Sequence, residues 1–127
     1  MPWILKKRVK REIGHMLYKY KGKCNKPHGH TFWIEVELEF KELDETGIGM
    51  DFGEIEKIIK EIFPDHVFFK YEKDDRIGDT EGVISLPFNP TSENLSRWTF
   101  YKLKERGIPV KSVKIEETPT SFALYFE

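Results

Sequence analysis

Apolar and polar residues alternate along the second quarter of this chain. Because side chains two apart on a β-strand share one face, the alternation predicts a strand over about residues 30–42. The apolar face carries the even positions His28, His30, Phe32, Ile34, Val36, Leu38 and Phe40. The two histidines therefore lie at the mouth of an apolar face, where little water is expected.

A similar but less regular pattern predicts an earlier strand over about residues 3–15. Most of the apolar residues of this segment occupy odd positions, namely Trp3, Leu5, Val9, Ile13, His15 and Leu17. Lys7 and Arg11 break the alternation. If the two strands pair antiparallel, His15 can lie beside His28 and His30 on one face.

Two helices are predicted further along the chain. Asp51 is the expected N-cap of the first, with Glu54 at the capping-box position, and the helix ends before Pro64. Its apolar stripe consists of Ile55, Ile58, Ile59 and Ile62. Thr91 or Ser92 caps the second helix. The expected buried residues of that helix are Leu95, Trp98 and Leu103.

Alternation returns in the last third of the chain and predicts two more strands, around residues 113–117 and 122–126. Residues 64–90 show no regular pattern and are expected to be irregular. The predicted order is strand, strand, helix, helix, strand, strand within a single domain, 1–127. This order favours an α+β fold in which two helices cover one face of an antiparallel four-stranded sheet.

Three histidines on apolar strand faces suggest a metal site. His15, His28 and His30 would leave a fourth position open, which is typical of catalytic rather than structural zinc. The alternative is that they are ordinary histidines satisfied by hydrogen bonds. Cys24 could also act as a fourth ligand and close the site to substrate.

Cys24 is the only cysteine, and it lies four residues before His28. A nearby cation and the basic residues Lys23 and Lys26 would favour its thiolate, which can act as a general base or a nucleophile. Burial as a small apolar residue is the competing interpretation, and the polar neighbours disfavour it.

Two further positions carry carboxylates that could take part in chemistry. Asp65 and His66 are adjacent, but adjacency in sequence does not make a dyad. Glu117 shares a predicted apolar strand face with Ile115. An unpartnered carboxylate there would be costly, so Glu117 requires a donor from an Arg or Lys, a backbone turn or a ligand.

Composition excludes several classes of function. Lys and Arg number 21 against 22 Asp and Glu, which leaves no net field that would favour nucleic acid or an anionic membrane. No apolar run is long enough to cross a membrane, and no signal-peptide core is present at the N-terminus. A single cysteine cannot form an internal disulfide, so a cytoplasmic location is expected.

With these residues placed, the chain resembles the family of 6-pyruvoyl-tetrahydropterin and 6-carboxy-tetrahydropterin synthases over nearly its whole length. The most specific element is the Cys-x-x-x-His-Gly-His run from Cys24 to His30. The supporting segments, which follow the family's order, are residues 14–17, 50–52, 65–66, 89–93 and 116–118.

The resemblance implies a zinc ion on His15, His28 and His30, with Cys24 as the base that moves a side-chain proton. It implies that Asp65 and His66 assist Cys24. It also implies that Glu117 anchors 7,8-dihydroneopterin triphosphate by accepting hydrogen bonds from the 2-amino and N3–H groups of the pterin ring. The fold implied is the tunnelling fold, or T-fold, assembled into trimers or hexamers with active sites between subunits. Asp65 and His66 would then be able to act on a neighbour's site.

Three residues separate Cys24 from His28, as in the carboxy-tetrahydropterin synthases that supply 7-deazaguanine (queuosine or archaeosine) synthesis. Pyruvoyl-forming members typically have a longer gap. The sequence around Asp65 and His66 departs from the family pattern, and residues 70–88 match nothing specific. The alternatives are a pyruvoyl product, aldol-type cleavage of dihydroneopterin, or a zinc-stabilised assembly module without turnover.

Overall fold

The computed structural model describes residues 2–127, which form one sheet and two helices. The strands are β1 (Trp3–His15), β2 (His28–Phe40), β3 (Val67–Tyr71), β4 (Val83–Leu86), β5 (Val110–Thr118) and β6 (Ser121–Phe126). The helices are α1 (Phe52–Ile62) and α2 (Ser92–Glu105), and a short 3-10 turn covers Lys23–Asn25. Among the described residues, neither helix has the length and apolar character needed to cross a membrane.

The centre of the sheet is the predicted antiparallel pair. β1 and β2 pair along their full length, from Trp3 opposite Phe40 to His15 opposite His28. The apolar face of β2 packs as the alternation predicts, and Phe32, Ile34 and Val36 are almost completely buried. Because opposed residues share a face, this register brings the histidines to one end of the buried side.

Both helices cover the same face of the sheet, as predicted. Ile55 and Ile59 of α1 and Leu95 and Leu103 of α2 belong to one core cluster with the inward residues of β1, β2 and β5. Asp51 caps α1 by accepting hydrogen bonds from the amides at positions 53 and 54. Thr91, rather than Ser92, caps α2 through a bond from the amide at position 94.

The predicted α+β class is confirmed, but the predicted strand count and order are wrong. The sheet has six strands in the order β4-β3-β1-β2-β5-β6, and β3 pairs parallel with both β1 and β4. The extra strands lie in the segment predicted to be irregular. Phe69 and Lys70 of β3 are adjacent and both buried, so no alternation marks the strand. Lys70 tolerates burial because its Nζ donates to the Ile77 carbonyl at 2.6 Å.

Candidate metal centre

Three imidazoles meet where β1 ends and β2 begins. His15 is the last residue of β1 and lies opposite His28, the first residue of β2, while His30 lies two residues further along the same face. The ring centroid of His15 lies 4.5 Å from that of His28 and 5.2 Å from that of His30. The structure thus brings together all three histidines that the sequence predicted as metal ligands.

Backbone carbonyls orient two of these rings. His15 Nδ1 lies 2.8 Å from the Pro90 carbonyl oxygen, and His28 Nδ1 lies 2.7 Å from that of Lys26. Since a carbonyl oxygen only accepts hydrogen bonds, Nδ1 must carry the proton in both rings. Each Nε2 is then unprotonated and carries a free lone pair, and a nitrogen in this state can bind a metal ion.

The Nε2 atoms of all three histidines are buried, and none makes a hydrogen bond within the described residues. Buried polar atoms are rarely left without a partner. One atom from each ring and one carboxylate oxygen of Glu117 lie within 4.8 Å of one another. Three convergent imidazole lone pairs beside a carboxylate fit a metal ion, and ordinary hydrogen-bonded histidines would not leave them unpaired.

Glu117 joins this cluster from the end of β5. Its Oε1 lies 3.0 Å from His15 Nε2 and 3.2 Å from His30 Nε2, although these contacts lack the angles of good hydrogen bonds. Because Nδ1 carries the His15 proton, the Nε2 lone pairs face this carboxylate without donating to it, an arrangement that a cation shared between them would satisfy. The partners of this half-buried carboxylate are therefore imidazoles, which the sequence did not predict.

The cluster also disfavours protonation of one ring. Burial is the main cause that lowers the pKa of His30, and the neighbouring His15 and His28 add to it, while Glu117 acts in the opposite direction. A neutral imidazole is the metal-binding form. His30 therefore remains ready to bind a metal ion at a lower pH than an exposed histidine would.

The lowered pKa of His30 predicts how the stability of the metal-free protein depends on pH. In the unfolded chain the imidazole takes up a proton near its ordinary pKa of 6.5, whereas in the folded chain it stays neutral to lower pH. The unfolded state then binds more protons, so the free energy of unfolding falls as the pH drops below about 6.5.

Chemical denaturation of metal-free protein at about pH 7.5 and about pH 5.5 measures this fall. We expect His30→Gln to reduce this fall in the free energy of unfolding. The control His66→Gln, which changes an exposed side chain outside the cluster, should leave the fall unchanged. An equal fall in the wild type and in His30→Gln would show that His30 is not the cause of this pH dependence.

Cys24 lies in the 3-10 turn between β1 and β2 and is a half-buried free thiol. It is not a member of the cluster of ligand atoms. The closed site of Cys24 and three histidines, which the assembly-module alternative requires, is therefore not formed in the described chain. Cys24 remains available for other chemistry.

Asp65 and His66 lie just before β3 and are in contact with each other. His66 Nε2 is 3.5 Å from Asp65 Oδ2, and its side chain is 79% exposed. Asp65 accepts a hydrogen bond of 2.8 Å from the Glu12 amide, which is the main reason that its pKa is lowered. The pair is outside the histidine cluster, but His66 and His30 line the same cleft of about 450 Å³.

Glu117 also lines a second cavity, of about 350 Å³, between the start of α2 and the β5–β6 hairpin. Ser92 and Glu93 contribute from α2, and Phe122 contributes from β6. The Ser92 hydroxyl is buried and has no hydrogen-bond partner among the described residues. The histidine cluster and a cavity of ligand-binding size thus share one carboxylate.

Sequence reasoning missed the part played by Pro90, whose carbonyl oxygen fixes the His15 ring. It also missed Arg76, which donates hydrogen bonds to the backbone beside Cys24. No side-chain pattern could reveal the first, because every residue has a carbonyl group. The second depends on a loop that approaches Cys24 only in the folded chain.

Comparison with known proteins places this chain in a family. The sequence model of the family described as 6-pyruvoyl tetrahydropterin synthase matches residues 4–127. A protein of Synechocystis sp. named 6-carboxy-5,6,7,8-tetrahydropterin synthase is 36% identical, over 98% of this chain and 93% of its own length. A protein of the same name from Haemophilus influenzae is 28% identical, over 91% of this chain and 93% of its own.

Solved structures show the same fold. The 6-pyruvoyl tetrahydropterin synthase of Caenorhabditis elegans superposes with a TM-score of 0.73 at 26% identity, covering 100% of this chain and 96% of that one. A protein of Wolinella succinogenes superposes with a TM-score of 0.78 at 21% identity, covering 100% of this chain and 99% of that one. The predicted T-fold is confirmed, and the chain belongs to the 6-pyruvoyl tetrahydropterin synthase family of enzymes.

Proposed function

We propose that this chain is a zinc-dependent synthase that converts 7,8-dihydroneopterin triphosphate and water into 6-carboxy-5,6,7,8-tetrahydropterin, acetaldehyde and triphosphate. The observation that carries the proposal is the set of three buried, unpartnered Nε2 atoms beside Glu117. The relatives named 6-carboxy-5,6,7,8-tetrahydropterin synthase and the spacing of Cys24 and His28 support this product.

His15, His28 and His30 are the proposed zinc ligands, because neutral imidazoles suit zinc and two of the rings are already fixed by backbone carbonyls. A zinc ion held there would supply Lewis acidity toward the oxygens of the substrate side chain. The Glu117 side chain borders both the cluster and the adjacent cavity, so a ligand in that cavity would contact it beside the proposed metal site.

Glu117 is the proposed anchor for the pterin ring. The 2-amino and N3–H groups of a pterin are adjacent donors, and an ionised carboxylate accepts two such bonds side by side. A glutamate side chain is ionised near neutral pH, which this role requires. The cavity that it lines with Ser92 and Glu93 falls within the size range of small-molecule sites.

Cys24 is the proposed base that removes a proton from carbon in the substrate side chain. Asp65 and His66 are proposed to assist it, with the Asp65 carboxylate polarising the His66 imidazole at 3.5 Å. His66 is exposed and outside the cluster of its own chain, which is compatible with action on a neighbour's site.

We also propose a cytoplasmic ring-shaped assembly, a trimer or a hexamer, with active sites between subunits. The edge strand β6 exposes Phe122, Leu124 and Phe126, and an unpaired apolar edge strand is suited to pairing with another subunit. A lone free cysteine agrees with a reducing compartment.

Incubation of zinc-loaded protein with 7,8-dihydroneopterin triphosphate, followed by mass spectrometry, tests the function. We expect a 6-carboxy product and acetaldehyde in equal amounts. A 6-pyruvoyl product would move the chain to the other branch of the family, and an aldol cleavage product would move it to a folate-like reaction. No conversion of the substrate would contradict the proposal.

A further inference from the structure

The loop between β3 and β4 lies against the turn that carries Cys24. Asp74, in this loop, is only 1% exposed although it is a carboxylate. Buried carboxylates usually have a charged partner, and here the partner is Arg76 of the same loop. The buried carboxylate therefore fixes the Arg76 side chain, in a segment outside the motifs that carry the family resemblance.

Arg76 donates two hydrogen bonds to the Asp74 carboxylate. Its Nε lies 2.9 Å from Asp74 Oδ1, and its Nη2 lies 2.6 Å from Asp74 Oδ2. Such a fork fixes both the position and the plane of the guanidinium group. The remaining donors then point in directions that the Asp74 carboxylate determines.

Those donors reach both sides of the Cys24 turn. Arg76 Nη1 donates to the Asn25 carbonyl at 2.5 Å, and Nη2 donates to the Leu17 carbonyl at 3.1 Å. The Leu17 amide in turn donates to the Cys24 carbonyl at 3.0 Å. One side chain thus ties the two ends of the connection between β1 and β2, immediately beside Cys24.

We infer that Arg76, oriented by Asp74, is a positioning residue that holds the Cys24 turn in place for the reaction. This inference rests on the proposed function. Arg76 is poorly suited to binding the triphosphate, because three of its nitrogens already donate four hydrogen bonds within the chain. A surface ion pair without such a role would contribute little, but Asp74 is buried and the guanidinium bonds to the backbone on both sides of the turn.

The test compares Arg76→Ala and Arg76→Lys with Arg106→Ala in full-length, zinc-loaded protein. Arg106 is a matched control, because it follows the end of α2 and forms an exposed ion pair with Glu61 of α1. We expect kcat to fall about 10- to 100-fold in both Arg76 variants while KM changes less than about threefold. Lysine should not restore kcat, since it keeps the charge but cannot form the fork.

Hydrogen exchange supplies a readout that does not depend on turnover. The amides of Leu17, Asn25 and Lys26 all donate to carbonyls within this connection. We expect them to exchange at least about tenfold faster in Arg76→Ala, with zinc content unchanged, and to be unaffected by Arg106→Ala.

The outcomes separate this inference from the proposed function. An unchanged kcat in Arg76→Ala would overturn the positioning role. If KM were raised at the same time, the result would favour a role for Arg76 in substrate binding. A wild-type protein that turns over no pterin would contradict the proposed function instead. Exchange rates would then decide whether Arg76 fixes the turn, and unchanged rates would overturn the inference.

Discussion

Replacing Cys24 with alanine is expected to lower kcat roughly 100- to 10,000-fold, because the substitution removes the proposed base for the proton on carbon. Zinc content should not change, since Cys24 is outside the cluster of ligand atoms. Folding should not change either, since the thiol is half-buried and in a turn. Steady-state kinetics with parallel metal analysis measures both effects.

Cys24→Ser is the matched control for this prediction. A serine hydroxyl has nearly the same size as the thiol but is a far weaker acid, so it should not restore activity near neutral pH. Alanine or serine variants with wild-type kcat would show that another group removes the proton. Loss of zinc in either variant would instead favour Cys24 as a ligand.

Replacing His28 with alanine is expected to weaken zinc binding by about 100-fold or more and to abolish turnover at limiting metal, because it removes one of three proposed ligands. Loss of a group that merely orients a ligand already costs about 10- to 100-fold in affinity. His28 is preferable to His15 for this test, since His15 is only 1% exposed and its loss would also affect packing.

His66→Ala is the matched control for metal affinity, because His66 is the fourth histidine of the chain and lies outside the cluster. A competition titration with a chelator of known affinity measures both variants. Retention of wild-type affinity in His28→Ala, or equal loss in His66→Ala, would contradict the assignment of the ligands.

The histidine site could be predicted because its geometry follows from local patterns. Alternation along β2 determines the face of His28 and His30, and antiparallel pairing with β1 brings His15 opposite His28. The helices could be predicted for a similar reason, since Asp51 precedes an apolar stripe of helical period. In each case the structure depends on residues close in sequence or on a single pairing.

The unpredicted features depend on contacts between distant parts of the chain. β3 escaped prediction because Lys70, a residue normally exposed, is buried against the Ile77 carbonyl. The contact of Glu117 with His15 joins residues at the ends of two different strands, β5 and β1. Arg76 reaches Asn25 across 51 positions of sequence, and no local pattern records that approach.

Zinc on His15, His28 and His30 is proposed to be essential to turnover, and removal and return of the metal tests that requirement. Chelated protein is reconstituted stepwise with zinc, and the rate of 7,8-dihydroneopterin triphosphate consumption is measured against zinc per chain. We predict that the rate rises in proportion to bound zinc and levels off at about one ion per chain, because each chain contributes one three-histidine group among its described residues. Full turnover in metal-free protein would contradict zinc dependence.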